Sequence, residues 1–498
     1  MFPALHKSHL AIAIALVTCI QLGSRPLSAI AEPIDSATSV STYVINLPKT
    51  LKQPLHVTAV LLSPGDAFVM SQGLQSDDYA KYVRHFSASD ADGRPLTVSY
   101  DSAVPQWTIE SAKAPIRISY DVDLAYLTAL PQFARLQEGF TQSGTTYLTD
   151  NVFVIFPKAD VPATPIQLQI DPPANELLAA PWPETVSSHM YRTTLFSVTH
   201  NTIDYGMLAA TTIQYRGFPV QFVMVGSIAD ARDDMRRVFS QVLPRYMALF
   251  PNTIGSKYLV TVTPDWDDAQ AFDSSMSVAI GAPALPAFRM LWANSLAHEL
   301  FHYWNGERIR PSDRKLNTIT EGFTEYYANL TLERTGLITP ETYWEIVGRH
   351  LGAYTYFMFS PNYGMPLIDA AKNKTRNRFG VYDGGWTLAM CLDLEIRHAT
   401  HERRSLDDVM RLLWERFGRK RISFGYADLV QAVSDVAGRS YTNYFASYFL
   451  DPNILPFETD LSFIGVEVES QAFAGITYVV PLGATGNAAF ERSQFLHG

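Results

Sequence analysis

His298-Glu299-Leu300-Phe301-His302-Tyr303-Trp304-Asn305-Gly306-Glu307-Arg308-Ile309-Arg310-Pro311, followed by Glu321, is the stretch on which the fold of this chain turns. On a helix, residues i and i+4 share a face about one turn apart, so the imidazoles of His298 and His302 project toward a common point. Glu299, one step round, leans over the same place. Two imidazoles and a carboxylate make the three-ligand set of a catalytic zinc site, whose fourth position is left to water while a nearby carboxylate takes that water's proton. The expected ligands of one zinc ion (Zn2+) are therefore His298, His302 and Glu321, with Glu299 as general base. Flanking residues support burial: Phe288, Leu291, Trp292 and Leu296 recur at helical spacing, and the pattern predicts a helix from about Pro286 to the Asn305-Gly306 stop. Two histidines and a glutamate buried there without a partner would be costly. A second helix is predicted over 320–334, which puts Glu321 in its first turn. Glu325, one turn beyond, is either an outer hydrogen-bond partner of a ligand imidazole or an exposed helix charge. Asn305 has the same two readings, as an outer partner or as a simple helix terminator.

The run 298–311, with ITEGFTEYYANLTLERTG at 319–336, resembles the glycyl aminopeptidase family of gluzincin metallopeptidases, family sixty-one. The likeness extends to VYDGGWTLAMCLDLEIR at 381–397, to SLDDVMRLLWERFG at 405–418 with YADLVQAVSDVAGRSYTNYF after it, and upstream to FSASDADGRPLTVSYDSAVPQWTIE at 86–110. It covers about 41–460. The resemblance implies an α+β multidomain fold, with an N-terminal antiparallel β-domain and a thermolysin-like, mainly helical zinc peptidase domain. It implies an aminopeptidase, with an endopeptidase of the same fold, or an inactive binding or scaffold protein, as alternatives. Related gluzincins carry a tyrosine in Y-x-K-G at the start of a matching helix, which makes Tyr382 the expected oxyanion donor. Here Gly384 stands in place of the lysine. A G-G-L-E-H-like segment of the family, whose glutamate is a candidate for the substrate's α-amine, corresponds to 270–277, where either Asp273 supplies that charge from a shorter arm or the amine site is lost. Glu307 stands where a lysine is usual. Family members often continue into a PDZ domain; the residues after 460 are too few for one.

The chain has 498 residues, 47% of them hydrophobic and 18% charged, and a formal net charge of −10, an ordinary globular composition long enough for two cores. Lys7, the apolar run 10–22 and Ser28-Ala29-Ile30-Ala31 read as a signal peptide over 1–31, cleaved near Ala31 for export to a periplasm or the exterior. An uncleaved signal anchor is the alternative. Cleavage removes Lys7 and Arg25 and no acid, so −10 becomes −12, which argues against nucleic acid and anionic membrane as partners. The mature chain is expected to have no membrane span, and a peptide or protein substrate is its expected partner. Of two cysteines only Cys391 remains after cleavage, in an apolar helix, so it reads as a buried inert thiol.

Period-two alternation dominates the first half: Ile116, Ile118, Tyr120, Val122 and Leu124 alternate with polar residues, as do Leu55, Val57, Ala59 and Leu61. The character changes near Gly226. A helix interrupted or kinked by Pro244 is predicted over 228–250, then a strand over 257–263, then helices from Pro286 onward. The domains read as 32–225 (β), 226–460 (catalytic) and 461–498 (a β-like extension). His350, His398 and His401 have no partner spacing and read as surface or core residues.

Overall fold

The computed structural model describes residues 40–497 apart from 64, 71–80, 111, 132–137, 150–151, 254, 256, 265–267, 281–288, 472–475 and 484. The signal segment 1–31, and the predicted helix start at Pro286 and Phe288, lie outside the described residues.

An antiparallel-rich β-domain precedes a largely helical one. The alternation read from 116–124 builds the strand Ile116–Val122, whose apolar residues are buried and whose polar residues are half-buried. It pairs antiparallel with Leu55–Leu61 and Val83–Ser89 inside a seven-stranded sheet. The strand stops before Leu124 because Asp123 caps a short helix, its side chain accepting from the Tyr126 N–H. Within this sheet one pair is parallel, Ser41–Asn46 with Pro165–Asp171, where the long intervening chain supplies the crossover that parallel pairing needs. Two four-stranded antiparallel sheets complete the domain. The core is continuous from Tyr43 and Ile45 through Tyr120 to Tyr205.

The change of sheet sits between Gly206 and Ala209, ahead of the 225/226 boundary read from the sequence. Strands Ala209–Tyr215 and Phe218–Met224 form a hairpin, and the second runs parallel to Tyr258–Thr263. Their buried side chains, Phe218, Val220, Phe222 and Met224, belong to the catalytic core. This five-stranded sheet continues through Ser275–Ala279 and ends in Asp268–Ala271, its edge strand among the described residues.

The helix Arg232–Leu249 runs unbroken through Pro244. Its buried residues Met235, Val238, Phe239, Val242, Tyr246 and Leu249 repeat at helical spacing and pack on the sheet side of Arg289–His302, where the Tyr246 hydroxyl donates to the Ala297 carbonyl at 3.1 Å. That histidine helix lies between the sheet and the helix Asn317–Arg334, which carries Glu321 and Glu325 and is buried along nearly its whole length. Behind it runs Gly385–Thr400, entered through a π-helical turn at Phe379–Gly384. These two helices touch backbone to backbone: a Cβ on Gly322 would come within 2.2 Å of the Gly385 carbonyl carbon, and one on Gly385 within 2.3 Å of the Thr318 oxygen. Only glycine fits at either position.

After the helix Phe457–Phe463 the tail forms a hairpin, Val466–Gln471 with Ile476–Pro481, and then a helix, Gly486–His497, that docks Phe495 and Leu496 into the catalytic core. The β-like reading of 461–498 matches the hairpin and misses the helix, whose polar, glycine-led start gives little helical signal. Cys391 is fully buried, and burial pushes its thiol well above the ordinary range. No helix among the described residues is long and apolar enough to cross a membrane.

Candidate active site

Two crossed helices bring three ligand atoms to one point. His298 Nε2 and His302 Nε2 are 3.0 Å apart, and Glu321 Oε2 lies 3.5 Å from the first and 3.4 Å from the second. Ligands about 2.0–2.1 Å from a tetrahedral zinc are separated by about 3.3 Å, so the triangle has the dimensions of one tetrahedral face. All three residues are buried.

Each ligand is also held from behind. His298 Nδ1 meets Glu325 Oε2 at 2.8 Å, and His302 Nδ1 donates to the Asn305 carbonyl at 2.8 Å. With the proton fixed at Nδ1, both Nε2 lone pairs face the common point. Asn305 itself is anchored through its side-chain amide to the Thr320 carbonyl and the Thr324 hydroxyl, so it ties the end of the histidine helix to the glutamate helix. Glu325 in turn accepts from Asn294 and Asn329. His350 extends this tier inward: it is buried, its Nδ1 lies 2.7 Å from Asp383, and its ring stacks on Trp386. Of the other histidines, His398 stacks on Phe463 near the surface and His401 takes the left-handed position that ends its helix.

Three carboxylates and two imidazoles share this buried point. Burial works against the charge of Glu321 and of His298, yet the oppositely charged groups around them outweigh it, holding the Glu321 carboxyl well below its ordinary range and lifting the His298 imidazole well above its own. Glu299, Glu321 and Glu325 crowd one buried volume, and a divalent ion is a natural neutraliser of such a set. The group His298, His302, Glu321 fits a metal in distance, in burial and in donor chemistry.

A cavity of about 390 Å3 opens onto this point. Glu299 and Tyr382 both line it, together with residues 269–271 of the edge strand. Burial raises the pKa of Glu299. The Tyr382 ring stacks beside His298 at 6.1 Å, and burial and the Glu321 charge keep its phenol protonated.

Sequence reasoning missed Lys374. Its ammonium donates to Glu321 Oε1 at 2.6 Å, leaving Oε2 to face the histidines, and it also lies 5.4 Å from the Tyr382 ring centroid. It reaches the site from a loop 53 residues away, so no spacing announces it.

Asp273 does not line this cavity, which corrects the expectation that it meets a substrate amine there. Its carboxylate accepts from Arg421 at 2.8 Å and lies 3.8 Å from Arg308, and these two guanidinium groups hold it below the ordinary carboxyl range despite burial. A carboxylate already answered by two arginines has no charge left for an ammonium. Glu307 does line the cavity, paired with Arg310 at 3.1 Å.

Among solved structures, the chain resembles an aminopeptidase N family protein from Idiomarina loihiensis, with a TM-score of 0.74 at 17% sequence identity over 87% of this chain and 79% of that one. At that identity the likeness is one of fold. No curated protein matches the chain. The model of the peptidase M61 N-terminal domain matches residues 74–204, in the β-domain. The model of the M61 glycyl aminopeptidase matches 292–360, which contains His298, Glu299, His302, Glu321 and Glu325. Both parts of one family, the M61 glycyl aminopeptidases, are thus matched in this chain, the N-terminal domain ahead of the part that carries the His298, His302 and Glu321 group.

Proposed function

We propose that this protein is an exported zinc peptidase that releases N-terminal residues from peptides, with one zinc ion held by His298, His302 and Glu321. The observation that carries this reading is the convergence of three ligand atoms at 3.0–3.5 Å beside a cavity lined by Glu299 and Tyr382. Bound zinc supplies Lewis acidity, polarising the peptide carbonyl and lowering the pKa of water. Glu299 takes the proton of the attacking water and hands it to the leaving amine. The Tyr382 hydroxyl donates to the oxygen on which negative charge develops. Glu325 and the Asn305 carbonyl keep the imidazoles in the ligating tautomer, and Lys374 keeps Glu321 turned.

Tyr382→Phe is expected to keep the metal and substrate affinity and to lower kcat by about 10²- to 10³-fold, the range for one oxyanion donor. A change in KM alone would make it a binding residue. Lys374→Met, which removes the hold on Oε1, is expected to weaken metal affinity by about tenfold to a hundredfold, read by competition with a chelator. Unchanged affinity would make the lysine a bystander.

The overall reading is tested by digesting a mixed peptide pool, in free and N-acetylated forms, and sequencing products by mass spectrometry. Stepwise loss of N-terminal residues from free peptides alone is the expected result. Equal cleavage of acetylated peptides would establish an endopeptidase, the reading favoured by Asp273 being tied to two arginines. A metal-loaded protein that cleaves neither form is not a peptidase.

A further inference from the structure

A second cleft lies beside the metal cavity, where the β-domain meets the turn after the histidine helix. It encloses about 700 Å3 and shares the lining residues Glu307 and Arg310 with the metal cavity. Four arginines line it, Arg192, Arg308, Arg310 and Arg421, against two carboxylates, Asp273 and Glu307. In a chain of net charge −10 this is a local positive surplus.

The four arginines are not equally committed. Arg308 is buried, lies over the Tyr303 ring at 3.4 Å and donates to the Tyr303 and Asp273 carbonyls, so its work is structural. Arg421 gives one N–H to Asp273 and keeps 51% of its side chain exposed. Arg310 is stacked over the Phe196 ring at 4.6 Å and braced by Glu307, with 41% of its side chain exposed. Arg192, on the strand Met190–Thr194, has no ion pair among the described residues. A guanidinium held flat in advance loses little freedom on meeting a ligand, and its planar fork matches a carboxylate.

We propose that this cleft binds a carboxylate of the peptide substrate, carried by an acidic side chain or by the C-terminus, with Arg310, Arg421 and Arg192 as its partners. The assignment of the ligand as a peptide rests on the peptidase reading above. The Asp273 that fails as an amine site then has a different task, since it orders Arg308 and Arg421 along the cleft wall.

The test compares kcat/KM for matched peptides, Glu against Gln at each position and C-terminal acid against amide, on wild type and on Arg310→Gln, Arg192→Gln and Arg421→Gln. Wild type is expected to prefer the acid in at least one pair by about tenfold, as charge-assisted hydrogen bonds warrant, and the ratio should fall toward one in the variants. Discrimination in the Glu/Gln pairs assigns the site to a side chain; discrimination in the acid/amide pairs assigns it to the C-terminus. Because the readout is a ratio within one protein, a general loss of turnover or stability does not imitate it. Ratios near one in wild type, or a preference that survives all three substitutions, would overturn the proposal. Titrating the same peptides into metal-loaded Glu299→Gln measures binding without hydrolysis. If wild type cleaves nothing, the peptidase reading fails, and the carboxylate site still stands or falls on whether this binding discriminates acid from neutral.

Discussion

Glu299→Gln is expected to retain its metal and its fold while losing hydrolysis by about 10²- to 10⁴-fold. The amide has nearly the shape of the acid, so the packing around a residue that is only 7% exposed is preserved. What disappears is proton-accepting capacity. Glu299 has no part in the triangle formed by the ligand atoms, so metal content measured by elemental analysis should match wild type, as should the circular dichroism spectrum. Activity near wild type, with contaminating peptidase excluded, would remove Glu299 as the base and would leave the cavity, among the described residues, without another carboxylate that is neither ligand nor paired to an arginine.

His302→Ala is expected to separate from that behaviour by losing metal and hydrolysis together. The substitution deletes one corner of the 3.0–3.5 Å triangle, and two remaining protein ligands fall short of the three that a catalytic zinc site uses. It also removes the bond to the Asn305 carbonyl that helps fasten the end of the histidine helix. Glu321→Ala deletes another corner and frees Lys374, with the same outcome expected. After dialysis against a weak chelator, both variants should retain little of the metal that wild type keeps. Full occupancy in both would mean that the ion, if any, sits elsewhere.

Much of this site was legible because its chemistry is local. His298, Glu299 and His302 occupy one helix face, and Glu321 and Glu325 another, so periodicity alone aligns them. The strands of the β-domain were legible for the same reason. What was hidden depends on distant pairs. Asp273 looked free because its partner Arg421 is 148 residues away, and Lys374 looked unremarkable because nothing near it hints at Glu321. His350 lacked partners at any helical spacing, yet Asp383 and Asn329 meet it across two other helices. The boundary was misplaced because strands 209–224 alternate like those of the β-domain, and alternation does not say which sheet a strand joins.

The glycine contact between residues 322 and 385 has a mechanical consequence. Glu321 stands one position before it on one helix, and Tyr382 three positions before it on the other, so ligand and phenol are mounted on a joint that has no side chains to slide or ratchet. Such a joint behaves as a weld: it fixes the offset between the two groups whether or not a substrate is present. A Cβ at either position would force the two helices apart and shift Glu321 relative to Tyr382.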